Sequence, residues 1–221
     1  MRYNGSGDDM NILYEDQSLI LCEKPAGVLS EEGGMPQLLR EASGAREIYC
    51  VHRLDRETGG LMVYAKTGDA AAKLSKAIAE GRMQKEYWAV AQGEAPEEGT
   101  LRDLLFRDAA RNKSFVVQRM RRGVREAELS FRRAAFREGL SLLRVRLSTG
   151  RSHQIRVQFA SRGLPLVGDR KYGSSYRDCG LALFSTELAF SHPVSGERIC
   201  RELAPPSIWP WTIFEEELHT E

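Results

Sequence analysis

The chain's densest group of reactive side chains is Val51-His52-Arg53-Leu54-Asp55-Arg56-Glu57-Thr58-Gly59-Gly60, which runs directly into the apolar stretch Leu61-Met62-Val63-Tyr64-Ala65. A loop held by a rigid strand is a common seat of catalysis. Asp55 lies between two arginines in sequence, so convergence of the three would keep its carboxylate ionised at neutral pH, able to act as nucleophile or base. The same residues could instead make a loop ion pair or an Asx turn. A second group, Ser148-Thr149-Gly150-Arg151-Ser152-His153-Gln154-Ile155-Arg156-Val157-Gln158-Phe159, reads as a glycine-bearing turn feeding a strand with Arg156 near its start. An arginine so placed can fix a buried acid from another loop, or pair with phosphate or a surface carboxylate. The third, Gln84-Lys85-Glu86-Tyr87-Trp88-Ala89-Val90, puts Tyr87, Ala89 and Ala91 on one strand face, where a lone tyrosine would ordinarily pack in a core.

These groups need elements to hold them. Strand-type runs recur at Asn11–Tyr14, Ser18–Glu23, Leu61–Ala65, Glu86–Gln92, Ser114–Gln118, Glu126–Ala134, Leu140–Leu147, Gln154–Phe159 and Leu181–Phe190. The clearest alternation is Leu143-Arg144-Val145-Arg146-Leu147, three aliphatics on one face and two arginines on the other, as in a sheet with one wet face. Its neighbour Glu126–Phe136 connects through Arg137-Glu138-Gly139, a hairpin turn. One helix is signalled by Thr67 or Asp69 as cap, Leu74 and Ile78 at i, i+4, and Gly81 as stop; a second is expected around Met35–Ser43. Hairpin-joined strands with few helices predict an α+β fold on a mixed, largely antiparallel sheet.

A chain of 221 residues, 42% hydrophobic, can bury one sizeable core. One domain over residues 11–213 is expected, between a flexible N-terminus, 1–10, and an acidic C-terminal tail, 214–221. No run approaches the roughly 18 apolar residues of a membrane span, and no secretory leader is present, so a soluble, cytoplasmic protein is expected. Cys22, Cys50, Cys179 and Cys200 lack any CxxC spacing and read as reduced, mostly buried thiols. His52, His153, His192 and His219 do not join them at ligand spacing, so no metal is expected. The net charge of +1 conceals asymmetry: residues 102–170 hold 17 Lys+Arg against 6 Asp+Glu. That stretch is either a polyanion-binding surface or a solvated one whose arginines pair with acids elsewhere.

In order and residue type, the three groups resemble the diagnostic segments of the RluA-type pseudouridine synthases: an HRLDxxTxG loop, a KxY strand and a GRxHQIR segment. The resemblance extends from Ile12-Leu13-Tyr14-Glu15-Asp16 and Glu23-Lys24-Pro25-Ala26-Gly27, through Pro165-Leu166-Val167-Gly168-Asp169-Arg170-Lys171-Tyr172-Gly173, to Leu188-Ala189-Phe190-Ser191-His192-Pro193. It implies the pseudouridine synthase fold, with an RNA-binding cleft across the sheet, and a cofactor-free isomerase of uridines in structured RNA, ribosomal or transfer.

The resemblance makes Asp55 the catalytic aspartate, Arg156 its salt-bridge partner and Tyr87 the ring packed on the target uracil. Arg53 would help displace the flipped base. His52, Arg151, His153 and the basic hairpin would hold the RNA. Two positions depart from the family pattern: Gly59 stands where serine usually precedes the final glycine, and Gln158 replaces a frequent histidine. The segment between Gly27 and Val51 is short, and no separate N-terminal RNA-binding module is expected. Such an enzyme must break C1′–N1, turn the uracil, join C5 to C1′ and lose the C5 proton. Asp55 could attack C1′ or remove the 2′ proton to give a glycal. Two rivals stand beside this reading: a non-catalytic RNA-binding protein, and a metal-dependent hydrolase using His52, Asp55 and His153. A monomer is expected, the basic face being taken by RNA.

Overall fold

The structure is a computed structural model that describes residues 10–218. The expected flexible N-terminus therefore lies outside the described residues, Met10 apart, as does His219. In chain order the elements are β1 (Ile12–Glu15), β2 (Leu19–Lys24), α1 (Met35–Ser43), β3 (Tyr49–Cys50), β4 (Gly59–Ala65), α2 (Gly68–Ala79), β5 (Gln84–Gln92), β6 (Glu98–Asp108), β7 (Lys113–Val117), β8 (Val124–Arg137), β9 (Leu140–Leu147), α3 (Gln154–Ala160), β10 (Leu183–Ser191), β11 (Arg198–Glu202) and α4 (Glu215–Leu218). The α+β class with largely antiparallel pairing is what the alternating runs predicted. The chain forms two compact units: the part up to Lys85 with Ser185–Leu203, and Glu86–Phe184 with the part from Ala204 onward.

In the first unit the strands run β1-β2-β4-β10, with β3 paired to the end of β4 and β11 to β10. β2 and β4 are antiparallel, Leu19 opposite Ala65 and Lys24 opposite Gly60. Leu19, Leu21, Leu61, Val63 and Ala65 pack with Leu188, Phe190 and the α2 residues Ala70 and Leu74. Each fully buried leucine or valine among them contributes about 2 kcal/mol. Thr67 caps α2, its hydroxyl accepting the Ala70 N–H at 3.2 Å, as its sequence signal required.

The second unit carries the strand order β5-β9-β8-β6-β7, with antiparallel neighbours throughout. The β8–β9 hairpin turns through Glu138 (φ 53) and Gly139 (φ 73), the two positive φ values of a tight two-residue turn. Register divides its side chains cleanly. Leu143 and Val145 are fully buried, while Arg144 and Arg146 lie on the other face and both bind Glu86 of β5, through Nε at 2.7 and 2.8 Å. On the buried face Val157 of α3 packs against Leu105 and Ala127, and Phe159 meets Phe131 edge-on.

Two expectations are corrected. Gln154–Phe159 is a helix and not a strand. All six residues are buried, so no polar stripe of period 3.6 exists to reveal it, and the alternation of Ile155, Val157 and Phe159 with polar residues mimics β. The amide nitrogens bond internally: Gln158 Nε2 donates to Leu101 O and Asp103, and Gln154 Nε2 to Glu128 O, while Gln158 Oε1 is buried with no partner among the described residues. The cysteines are not mostly buried, since Cys22 is but Cys50 and Cys200 are exposed. Within the acidic tail, Glu215–Leu218 form α4, and Arg137 binds Glu216, Glu217 and the Ile213 carbonyl.

Candidate functional site

Asp55 sits on a loop whose neighbours on both sides are fastened to the segment 24–30. Before it, Ser30 Oγ accepts the Leu54 N–H at 3.0 Å and donates to the Leu54 carbonyl at 2.9 Å. After it, Gly27 N–H donates to the Arg56 carbonyl at 2.7 Å, and Arg56 Nε donates back to Gly27 O at 2.8 Å. Gly27 adopts φ 92, a conformation suited to glycine. The Thr58 N–H closes the turn onto the Asp55 carbonyl at 3.0 Å. The loop then enters β4 through Gly60, at φ 112, where a Cβ would lie 2.3 Å from the Ser185 carbonyl oxygen; only glycine fits.

Lys24, in the turn Glu23-Lys24-Pro25-Ala26-Gly27, is fully buried. Its ammonium donates to Pro25 O (2.9 Å), Val28 O (2.8 Å) and Arg56 O (3.2 Å), binding the turn to the Asp55 loop. Burial lowers its pKa to about 8, against the opposing pull of Asp55 and Glu57. The folded protein thus binds this proton more weakly than the unfolded chain, so the burial cost is present in full below about pH 8 and fades as pH rises toward 10. Lys24→Met would strand three carbonyls and is expected to cost about 2 kcal/mol near neutrality. Because the variant lacks the titration, the advantage of wild type should widen between about pH 8 and 10. Denaturant titrations at both ends of that window check this, and a constant difference would contradict it.

His52 and Arg53 take different parts. His52 Nε2 accepts the Val63 N–H at 3.1 Å, extending the β3–β4 ladder by one bond. Burial, reinforced by the charge of Lys85, holds this imidazole well below the usual histidine value, so it is neutral and serves as an acceptor. Arg53 is exposed and pairs with Glu31 at 2.6 Å, a surface contact worth at most about 1 kcal/mol.

In the second unit, Tyr87 of β5 is 6% exposed and stands opposite Val145. Arg156, 3% exposed, comes from α3 and grips Asp169 bidentately, Nε to Oδ2 at 2.7 Å and a terminal nitrogen to Oδ1 at 2.9 Å. Its guanidinium lies 5.3 Å from the Tyr172 ring centre. The Tyr172 hydroxyl meets His153 Nδ1 at 2.9 Å and the Ser114 N–H at 2.8 Å. His153 adopts φ 54 and is buried in this network rather than displayed at the surface. Arg151 is exposed, its Nε donating to Glu126 O at 2.9 Å.

The arginines of the 102–170 stretch divide into two groups by their partners. Arg102, Arg133, Arg137, Arg144, Arg146, Arg156 and Arg162 pair with acids. Arg107, Arg119, Arg121, Arg122 and Arg125, along β6–β8, are exposed with no acidic partner among the described residues. Among them also, no three His, Cys, Asp or Glu side chains gather as a metal shell.

The family model described as RNA pseudouridylate synthase matches residues 18–161, which include Asp55, Tyr87 and Arg156. The chain belongs to the RluA-type RNA pseudouridine synthases. It is 36% identical to an uncharacterized RNA pseudouridine synthase of Synechocystis sp., covering 89% of this chain and 65% of that one. It is 33% identical to the ribosomal large subunit pseudouridine synthase D of Haemophilus influenzae, covering 89% and 67%. The chain thus spans about two thirds of the length of these curated relatives. In fold it resembles human RNA pseudouridylate synthase domain containing 1, with a TM-score of 0.77 at 21% identity over 94% of this chain and 88% of that one. Human RNA pseudouridylate synthase domain containing 4 gives 0.74 at 22% identity over 95% and 92%. In this family member the Gln158 departure falls on the face of α3 that binds β6, and Gly59 simply opens β4. No helix among the described residues is long and apolar enough to cross a membrane.

Proposed function

We propose that the protein isomerises selected uridines of structured RNA to pseudouridine, with Asp55 as the reacting carboxylate, Arg156 as its charge partner and Tyr87 as the ring against the target uracil. The observation that carries this reading is the double fastening of the Asp55 loop within a family whose members are named for this reaction. Asp55 would attack C1′ or take the 2′ proton as C1′–N1 breaks. The uracil turns, and C5 bonds to C1′ as the Asp55–C1′ ester bond breaks or, on the glycal route, as the proton returns to C2′; the C5 proton then departs as N1 gains one, leaving Asp55 a free carboxylate. The relatives named for the ribosomal large subunit favour ribosomal over transfer RNA as substrate. Cytoplasmic action as a monomer without cofactor accords with it. A metal-dependent hydrolase fits less well, because His52 Nε2 is committed to the Val63 N–H.

A target base must leave its stack, costing a few kcal/mol that phosphate contacts can offset. The exposed arginines of β6–β8 supply such contacts. Replacing Arg119, Arg121 and Arg122 together by glutamine is expected to weaken RNA binding and to lower the slope of log affinity against log salt by about 2 to 3. Filter binding over a salt series reads this, and an unaltered slope would move the RNA elsewhere. The function itself is tested by mapping pseudouridine in total RNA from cells with and without the protein. A site lost and restored by add-back supports the enzyme, whereas an unchanged map, together with no activity on synthetic RNA, favours a binding protein.

A further inference from the structure

Ser30 lies in the segment after the KPxG turn, 24 residues before Leu54, and no motif includes it. It is 4% exposed, and its single hydroxyl is satisfied in both directions by one residue, accepting the Leu54 N–H and donating to the Leu54 carbonyl. The Leu54 carbonyl oxygen shares a peptide plane with the Asp55 nitrogen. On the other side, the Asp55 carbonyl is held by the Thr58 N–H at 3.0 Å. Both peptide planes that meet at the Asp55 Cα are therefore fixed, which leaves its carboxylate only the choice of rotamer. Ser30 is in turn anchored by the core: its carbonyl accepts the hydroxyl of Tyr64, a fully buried β4 residue, at 3.0 Å.

The geometry points to Ser30 as a positioning residue for the reaction, aiming the Asp55 carboxylate by clamping the peptide that precedes it. This rests on Asp55 being the reacting group. The clamp contributes direction and not affinity, because the Ser30 side chain is buried and both its hydrogen-bonding capacities go to Leu54. A misplacement of about 1 Å at a reacting atom costs on the order of 100-fold in rate.

The test measures single-turnover pseudouridine formation and RNA affinity for wild type, Ser30→Ala, Ser30→Cys, Ser30→Thr and Asp55→Asn. Ser30→Ala is expected to lower the rate about 10- to 100-fold while RNA affinity stays within about 2-fold. Ser30→Cys keeps the size but bonds weakly, so it should fall between; Ser30→Thr keeps the hydroxyl and should recover most of the rate. Wild-type rates in Ser30→Cys or Ser30→Ala, with Asp55→Asn inactive, would overturn the role of Ser30 alone. So would losses of rate and RNA affinity in parallel that threonine does not rescue. Turnover by Asp55→Asn would instead overturn the reading of Asp55. Should Ser30→Ala fail to fold, the cysteine and threonine pair decides.

Discussion

Replacing Asp55 by asparagine is expected to abolish pseudouridine formation, by at least about 1,000-fold in single turnover, while RNA affinity stays within about 2-fold. An amide can neither add to C1′ nor take a 2′ proton, so either route loses its reacting group. The backbone contacts that shape the loop come from Leu54, Arg56 and Thr58 and survive the change, as does the Arg53–Glu31 pair. Asp55 raises the proton affinity of Lys24, so its neutralisation should lower that lysine's pKa further and alter stability only slightly at neutral pH. Pseudouridine mapping and filter binding on the same RNA provide the two readouts. A variant that binds and turns over would show that another group does the chemistry. One that neither binds nor turns over would place Asp55 in recognition.

The sequence made legible those features whose cause is local. α2 was visible because Thr67 can cap it, Leu74 and Ile78 recur at i, i+4 and Gly81 can end it, and the structure buries Leu74 with Ala70 and Ala77; the β8–β9 hairpin, because Glu138-Gly139 can adopt positive φ beside the alternation of Leu143–Leu147. β6 was missed because Leu101, Leu104 and Leu105 are spaced like one face of a helix, and pairing with β7 and β8 overrides that pattern. The Asp55 loop was legible by residue type, but what holds it was not. Lys24 and Ser30 act on backbone carbonyls and an N–H, which carry no sequence identity. Asp169 did leave a signal that went unread. It is the sole acid between Glu138 and Asp178, a stretch crowded with arginines, so a buried guanidinium there had one nearby candidate in the sequence.

That carboxylate carries the second large effect. Asp169 is 1% exposed and binds Arg156 through two parallel hydrogen bonds, while its Oδ1 also accepts the Tyr172 N–H at 3.3 Å and so opens the short helix Arg170–Tyr172. Asp169→Asn keeps the shape but turns one acceptor into a donor facing the guanidinium, and withdraws the charge opposite a buried arginine. Breaking such a pair from one side costs about 3 to 5 kcal/mol, or about 10 °C in melting temperature for a chain this size. A loss of stability alone would make Asp169 structural. The stronger expectation is that Arg156 loses its heading, because two fixed bonds and the Tyr172 ring now define its plane. Asp169→Glu separates the two effects. It restores the charge, and with it most of the stability, but displaces the fork by one methylene. Single-turnover rates measured below the melting transition should then stay depressed by about 10-fold or more. Recovery of rate along with stability would mean that Arg156 needs a counter-charge and no particular direction.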